Sequence, residues 1–435
     1  MSRHASELSL AELSQMGADA AGEAIDAALA KGVPVTGLIA DDKGELKLAR
    51  RYADGSIEWI EEAPSSANGE MGLYYKGTTD NVLYNYVNPV DVVDISDKEH
   101  LFAELVTTDA FCRLSDVRFL GGIDYLLVPV PNGSRTNTRY TRYQHSLGVA
   151  SLAMLYADMR ELSEQDRRLA YAAALLHDIG HAPLSHSLEP VFEEAFGVNH
   201  HQATEDIIMG RVELGKDVNK VLRRYRVDPE RLVAVLAGED DPFEGFFAGP
   251  INFDTIEAVL RSKQYMNPSL VGQNPIAVAR AAINRSTKTD RDVIDSFWND
   301  KNDVYKLIVR SRDGVLADNF CQHLARRVLN KLSVNDYFST EKQIFRKIPE
   351  LRAGLTMDLS NYRKYTAVDE PVRYKLRRFY VDKDSSFFTR DDHSRYRQSK
   401  QDRILIVAAP RQSGRDWSEW DLFDESSIPP FETVF

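Results

Sequence analysis

The sequence is poor in cysteine and in long apolar runs. It holds two cysteines, Cys112 and Cys321, too few for a disulfide framework or a thiolate metal site. No stretch approaches the roughly 18 consecutive apolar residues that a membrane span requires. The N-terminal segment MSRHASELSLAELSQMGADAAG also lacks the apolar core of a secretory signal. We therefore expect a cytoplasmic protein without a membrane partner.

Positive charge is also in deficit. Lysine and arginine number 54 against 66 aspartates and glutamates, which gives a formal net charge of −12. Nonspecific duplex binding needs a basic face, so this balance argues against a constitutive DNA coat protein. It leaves room for a local basic pocket that receives a phosphorylated small molecule. The length of 435 residues indicates two or three domains.

The pattern of apolar residues divides the chain into three regions. Residues 1–70 predict a small module, with a helix over 9–31 and then a β-hairpin over the alternating stretch that ends near Ala63. Residues 71–335 form a core with helical spacing throughout. Its predicted helical stretches are 100–120, 143–162, 165–178, 202–225, 230–237, 253–264, 274–283 and 301–332.

The third region, residues 336–435, has a different texture. RYKLRRFYV (373–381) and RILIVAAP (403–410) are typical of strands, and an acidic, aromatic tail follows them. The sequence thus predicts a mainly α fold. An all-helical core would be flanked by a small α+β N-terminal module and an α+β C-terminal region.

Histidine is concentrated in one part of the core. Six of the ten histidines lie between residues 145 and 201. An isolated histidine is usually structural, but this crowding indicates a metal or acid–base site. In ALLHDIGHAPLSHS an aliphatic helix ends at His177 and Asp178, with Gly180 as its predicted stop. Imidazole and carboxylate are the ligands that Mn²⁺, Fe²⁺, Ni²⁺ and Zn²⁺ accept.

Further ligands would come from other helices. His145 stands near the start of the preceding helix, and Asp254 stands in the first turn of a later one. Taken alone, Asp254 is as easily a first-turn carboxylate that the helix dipole favours. Taken with the histidines, it completes the order H…HD…D.

This order resembles the HD-domain metal-dependent phosphohydrolases, and more closely their deoxynucleoside triphosphate triphosphohydrolase branch. An upstream segment, FCRLSDVRFLGG (111–122), and more loosely VYKLIVRSRDGVLADNFCQH (304–323), are also similar to that branch. The resemblance covers roughly residues 90 to 330. The segments that carry it best are RYQHSLGVA (142–150), LLHDIGHAPLSHS (175–187), HHQAT (200–204) and FDTIEAVLR (253–261).

The resemblance implies a divalent ion (Mn, Fe, Mg, Ni or Zn) and a set of acid–base residues. The implied metal ligands are His145, His177, Asp178 and Asp254. His181 and His200 match catalytic or phosphate-contacting histidines, Glu189 matches an acidic residue that orients one of them, and His186 would support them or contact phosphate. His201 is expected to be exposed.

It also implies a substrate and its contacts. Such enzymes release deoxynucleoside and triphosphate from a dNTP by attack at the α-phosphorus, and they commonly form homo-oligomers. Arg142 would contact a phosphate or make a surface salt bridge. Arg310 or Arg312 could add a second phosphate contact. Phe119 stands where the family has a glutamine that reads the deoxyribose.

The substrate-reading positions depart from the family further. After the last metal aspartate the family commonly has Lys or Arg, then Tyr, then Asp; here those positions are Thr255, Ala258 and Ser262. An alternative substrate is therefore a nucleoside monophosphate, a modified nucleotide or an oligonucleotide end. Another alternative is a nucleotide-sensing protein that binds single-stranded nucleic acid. The segment 361–400 interleaves basic and aromatic residues, although an amphipathic strand with solvated charges has the same pattern.

Overall fold

The computed structural model describes part of the chain. The described residues fall into two compact units, Met1–Leu73 and Tyr74–Phe435. The predicted helix over 9–31 and the acidic tail lie outside the described residues. The described ranges are 35–40, 46–52, 54, 56–59, 100–126, 139–266, 273–356, 372–383 and 395–405.

The first unit contains a small antiparallel sheet. Its strands are β1 (Val35–Ala40), β2 (Leu46–Arg51) and β3 (Ile57–Trp59), in the order β1-β2-β3. The predicted hairpin is present, and a third strand extends it. The turn before β3 is closed by the carboxylate of Asp54, which accepts hydrogen bonds from the backbone and hydroxyl of Ser56.

The second unit is mainly helical, which confirms the predicted fold class. No helix in the described part of the chain combines the length and apolar character needed to span a membrane. Its α-helices are α1 (His100–Val106), α2 (Asp109–Cys112), α3 (Gly122–Tyr125), α4 (Arg142–Met159), α5 (Glu164–Leu176), α6 (Glu189–Phe196), α7 (His200–Ile208), α8 (Lys216–Arg224), α9 (Pro229–Ala237), α10 (Phe253–Met266), α11 (Pro275–Asn284), α12 (Lys288–Val304), α13 (Arg312–Arg327), α14 (Glu341–Lys347) and α15 (Pro349–Leu355).

Helices α4 and α5 form the centre of this unit. Each begins at a side-chain cap: Thr141 and Gln144 make a reciprocal capping box for α4, and Ser163 caps α5. The last turns of α5 are fully buried, and Leu175 and Leu176 have no exposed surface. Burial of each leucine side chain contributes about 1.5–3 kcal/mol to the free energy of unfolding. The C-terminal end of α5, where His177 follows, is therefore held rigidly.

Three predicted helices are divided in the structure. The stretch 100–120 forms α1, α2 and a 3₁₀ turn, Arg113–Asp116, and Thr108 caps α2 with its side chain. The stretch 202–225 forms α7 and α8, because Gly210 adopts a left-handed conformation (φ 70°) that ends the first of them. The stretch 301–332 begins inside α12, passes through a five-residue π-helical turn, Tyr305–Val309, and continues as α13.

The C-terminal strands form a hairpin that packs on α12. Strand β4 (Val372–Val381) pairs antiparallel with β5 (Tyr396–Leu405) over ten residues each. The first strand matches its prediction within one residue. The second begins at Tyr396 rather than at 403, because its polar part, RQSKQDR, pairs with β4 while its side chains face largely outward. Residues 406–410 lie outside the described ranges.

Candidate metal centre and histidine cluster

Four side chains from three separate elements converge on one point. The Nε2 atom of His145, on α4, lies 3.1 Å from Oδ1 of Asp254 on α10. The same atom lies 3.2 Å from Nε2 of His177 and 3.4 Å from Oδ2 of Asp178, just after α5. These are the four residues for which the resemblance implies a metal.

The end of α5 sets the direction of His177. The helix ends at Leu176, and His177 donates from Nδ1 to the carbonyl oxygen of Ala174 at 2.8 Å. Because Nδ1 carries that proton, the lone pair of the neutral ring is on Nε2, which faces His145. A methyl group on Gly180 would lie 2.3 Å from the backbone nitrogen of Thr204, so only glycine lets α7 approach this turn.

A buried carboxylate fixes the ring of His145. Nδ1 of His145 lies 2.5 Å from Oε2 of Glu257, which is 1% exposed. Glu257 in turn pairs with the buried Arg261, whose guanidinium stacks 4.6 Å from the centre of the Tyr140 ring. The sequence reasoning missed Glu257 and Arg261, although FDTIEAVLR places both on the helix face of Asp254.

The helix cap leaves Asp254 free for the metal centre. The backbone N–H of Thr255 donates to the side chain of Asn252 at 2.6 Å. Asn252 therefore caps α10, which was the alternative role considered for Asp254. The Asp254 side chain is 47% exposed, and it forms the open side of an otherwise buried cluster.

The donor set fits a divalent cation. The Nε2 atoms of His145 and His177 lie 3.2 Å apart, and with both rings neutral their lone pairs would face one another, an arrangement that a cation between them stabilises. Burial alone would lower the pKa of His145, but the surrounding carboxylates of Glu257, Asp254 and Asp178 raise it to about 9. This concentration of negative charge favours a cation. Mixed imidazole and carboxylate ligation suits Mn²⁺, Fe²⁺, Ni²⁺ or Zn²⁺ better than Mg²⁺.

Arg142 lies behind the metal centre. Its guanidinium is buried and donates to Oδ2 of Asp178 at 2.6 Å, to Ser185 Oγ at 3.0 Å and to the Phe119 carbonyl at 3.1 Å. Of the two alternatives for Arg142, the described residues contain a salt bridge, although it is buried rather than at the surface. Each guanidinium nitrogen has a protein partner. The ring of Phe119 lies between Arg142 and His145, 4.9 Å from each.

A second cluster contains His181, His186, Glu189 and His200. Oε1 of Glu189 accepts hydrogen bonds from Nδ1 of His200 at 2.5 Å and from its backbone N–H at 3.1 Å. Oε2 lies 3.1 Å from Nδ1 of His186. Although burial opposes ionisation, these hydrogen bonds hold the pKa of Glu189 well below its ordinary range. The carboxylate is therefore ionised and orients both histidines.

His181 joins the two clusters. Its Nε2 lies 3.1 Å from Oδ1 of Asp178, and its ring stacks on that of His200, 4.6 Å away and 6° from parallel. Burial and the nearby Arg142 charge hold the pKa of His181 well below its ordinary value, so the ring is neutral. Nδ1 of His181 is buried without a hydrogen-bond partner among the described residues.

The remaining predicted residues lie further out. His201 is exposed, as expected, and its ring packs 3.9 Å from that of His200. Desolvation raises the pKa of the half-buried Asp318 and the charge of Arg310 opposes this; Asp318 accepts a hydrogen bond from Ser187 Oγ at 2.6 Å. Arg310 therefore approaches the segment of the histidine cluster. Arg312 is half-exposed beside Asp313.

The part of the chain that contains His145, His177 and Asp178 matches a known family. Residues 142–234 match the family model of the HD domain, and the chain therefore contains an HD domain. The match ends before Asp254, which the resemblance implies as a ligand, and before Glu257, which lies against His145.

Several curated proteins are similar to the chain over this part. It is 33% identical over 147 residues to the uncharacterized protein YwfO of Bacillus subtilis, and 38% identical over 86 residues to the uncharacterized protein MJ1154 of Methanocaldococcus jannaschii. It is 30% identical over 108 residues to the deoxynucleoside triphosphate triphosphohydrolase SAMHD1 homolog of Dictyostelium discoideum.

The similarity is partial in each case. The matched part covers 33% of this chain and 31% of YwfO, 20% of this chain and 17% of MJ1154, and 23% of this chain and 20% of the Dictyostelium protein. The chain thus spans about a third or less of the length of each of these relatives.

Proposed function

We propose that this protein is a metal-dependent phosphohydrolase that acts on nucleotides. The observation that carries the proposal is the convergence of His145, His177, Asp178 and Asp254 within 3.1–3.4 Å of the Nε2 atom of His145. These four side chains would hold the ion. Glu257 would keep the His145 lone pair directed at it, because a carboxylate at Nδ1 selects the tautomer with a free Nε2.

The bound ion would supply a Lewis acid for a phosphoryl oxygen and a nucleophile of lowered pKa from water. During hydrolysis the oxygen of a water molecule would bond to phosphorus and release a proton to solvent, while the bond from phosphorus to the leaving oxygen breaks. The leaving oxygen then needs a proton.

His200 is our candidate proton donor. Its Nδ1 is fixed by the ionised Glu189, so Nε2 is the nitrogen that can carry a proton to the leaving oxygen. The neutral His181 donates from Nε2 to Asp178 and stacks on the ring of His200, so it would hold that ring in position beside the metal centre.

Within this class we propose that the substrate is a dNTP, cleaved at the α-phosphorus into deoxynucleoside and triphosphate. The ordered motifs and the partial similarity to the Dictyostelium triphosphohydrolase support this substrate. Phe119 and Thr255 stand where the family reads sugar and phosphate, so other side chains would have to replace those contacts. Assembly into a homo-oligomer and location in the cytoplasm remain predictions.

A product assay tests the proposal. Purified protein is incubated with Mn²⁺ or Mg²⁺ and separate dNTPs, NTPs, nucleoside monophosphates and short oligonucleotides, and the products are resolved by chromatography. We expect deoxynucleoside and intact triphosphate from dNTPs, and none from the Asp178→Asn variant.

The other outcomes are distinct. Release of phosphate from monophosphates, or shortening of the oligonucleotides, with dNTPs left intact would support the proposed phosphohydrolase activity but show that its substrate is not a dNTP. No product with any substrate or metal would contradict the proposed chemistry.

A further inference from the structure

A second pocket lies next to the metal centre and is not used by the proposed chemistry. Its volume is about 500 Å³, and it lies between the start of α10, helix α12 and the β4–β5 hairpin. Thr255, which directly follows the metal-centre residue Asp254, lines it. The pocket also presents Trp298, Lys301, Tyr380, Tyr396 and Arg397.

Lys301 carries a positive charge into this pocket. Its ammonium lies 4.6 Å from the centre of the Trp298 ring and 4.8 Å from that of Phe379. Its hydrogen bond to the Pro250 carbonyl is a long one of 3.4 Å, so donor capacity remains for a ligand. Burial lowers the pKa of Lys301 to about 8, although the charge of Asp254 opposes this. An anion beside Lys301 would stabilise the charged form.

Tyr380 supplies an aromatic surface at the mouth of the pocket. It is 47% exposed and stands opposite Arg397 in the antiparallel register of the hairpin. Arg397 pairs with Asp382 at 2.7 Å and remains half-exposed. An exposed aromatic ring beside cationic side chains is the combination on which unpaired bases stack while their phosphates are neutralised.

The basic character continues beyond the pocket along the hairpin. Strand β4 holds four basic residues and β5 holds three against one acidic residue, in a chain whose net charge is −12. Arg378 and Arg397 are exposed and share the face of Tyr380, whereas the exposed Arg373, Lys375 and Lys400 lie on the other face of the hairpin. A free mononucleotide would need one such cation, whereas successive phosphates of a strand would use several.

We propose that this pocket binds one nucleotide of a single-stranded nucleic acid. The base stacks on Tyr380, its phosphate pairs with Lys301, and the neighbouring phosphates of the strand contact Arg397 and Arg378 on the face of Tyr380. The site is separate from the histidine cluster, so the proposal concerns binding and does not depend on the reaction proposed above. A duplex is not expected to bind, because stacking on Tyr380 requires an unpaired base.

Fluorescence anisotropy tests the proposal with a labelled ten-nucleotide oligothymidylate and the as-purified protein at low salt. We expect saturable binding that weakens with salt, with a log–log slope of about −0.7 for each phosphate contacted. Tyr380→Ala should weaken the affinity by about tenfold or more, and Tyr380→Phe should retain it, because stacking needs the ring alone. Lys301→Gln and Arg378→Gln should each lower both the affinity and the salt slope.

Control measurements distinguish a single strand from a duplex and from a free mononucleotide. Lys331→Gln, which changes an exposed lysine paired with Glu350 far along the sequence from the hairpin, should leave the affinity unchanged. Equal affinity for a matched duplex, or full competition by dTMP at the same concentration as the oligonucleotide, would overturn the single-strand assignment. No binding, or binding that Tyr380→Ala and Arg378→Gln both leave intact, would also overturn it.

Discussion

Nδ1 of His145 and Oε2 of Glu257 lie 2.5 Å apart, and this contact decides which nitrogen of His145 faces the metal centre. A carboxylate can only accept, so Nδ1 keeps its proton and the neutral ring would present the lone pair of Nε2 to a metal ion. Arg261 holds Glu257 in turn. The metal centre therefore depends on side chains that would not touch the ion.

Glu257→Gln tests this support. The amide keeps the shape of the side chain but weakens the charged hydrogen bond, so we expect metal affinity to fall by about 10- to 100-fold. Competition with a chromophoric chelator measures it. Glu244→Gln, at a partly exposed glutamate paired with Arg160, is the matched control. Equal affinity in both variants would show that Glu257 does not tune the site.

Removal of a proposed metal ligand should weaken metal binding more than removal of Glu257, which only orients a ligand. In His177→Ala or Asp178→Ala, the remaining ligands cannot complete the coordination, and we expect loss of bound metal by elemental analysis. Circular dichroism checks that the helices remain. Full metal stoichiometry in both variants would refute the ligand assignment.

Glu189→Gln should separate catalysis from metal binding. Because Glu189 contacts His186 and His200 rather than the metal residues, its metal content should be unchanged while kcat falls by about 100-fold. Glu194→Gln, on the same helix and paired with Arg326 at the surface, should keep the wild-type kcat. A Glu189→Gln enzyme of normal kcat would remove His200 as the oriented proton donor.

Glu341 should make stability depend on pH. It is buried, and it accepts the backbone N–H groups of Arg118 and Leu184 and the hydroxyl of Tyr125. Burial raises its pKa from 4.5 to about 7. The folded chain therefore keeps a proton that the unfolded chain loses, and stability falls as pH rises through that window.

We expect the free energy of unfolding to fall by about 3 kcal/mol between pH 4.5 and 7, because of the shift in the pKa of Glu341. Urea denaturation at pH 5 and pH 8 measures it, and Glu341→Gln should lack this component because its side chain does not titrate. The same pH dependence in both proteins would contradict the role assigned to Glu341.

Local pattern was sufficient for the helical class and for most helix starts. Thr141, Ser163 and Asn199 each cap the helix that follows them, and capping depends on neighbouring residues alone. The division of 202–225 was not predicted, because the left-handed conformation of Gly210 depends on packing against α8 as well as on the residue itself. The early start of β5 was not predicted either, since its polar residues gain strand structure only by pairing with β4.

The sequence by itself determined the order H…HD…D and the neighbours of His177, because adjacent residues at a helix end stay together in any packing of the helices. Only the tertiary structure decided that Asp254 meets His145, that Glu257 orients that histidine, and that Arg142 is buried behind Asp178. It also decided that Tyr380 and Lys301 share a pocket. These contacts join residues far apart in the chain, and their distances follow from how the helices and the hairpin pack rather than from any local spacing.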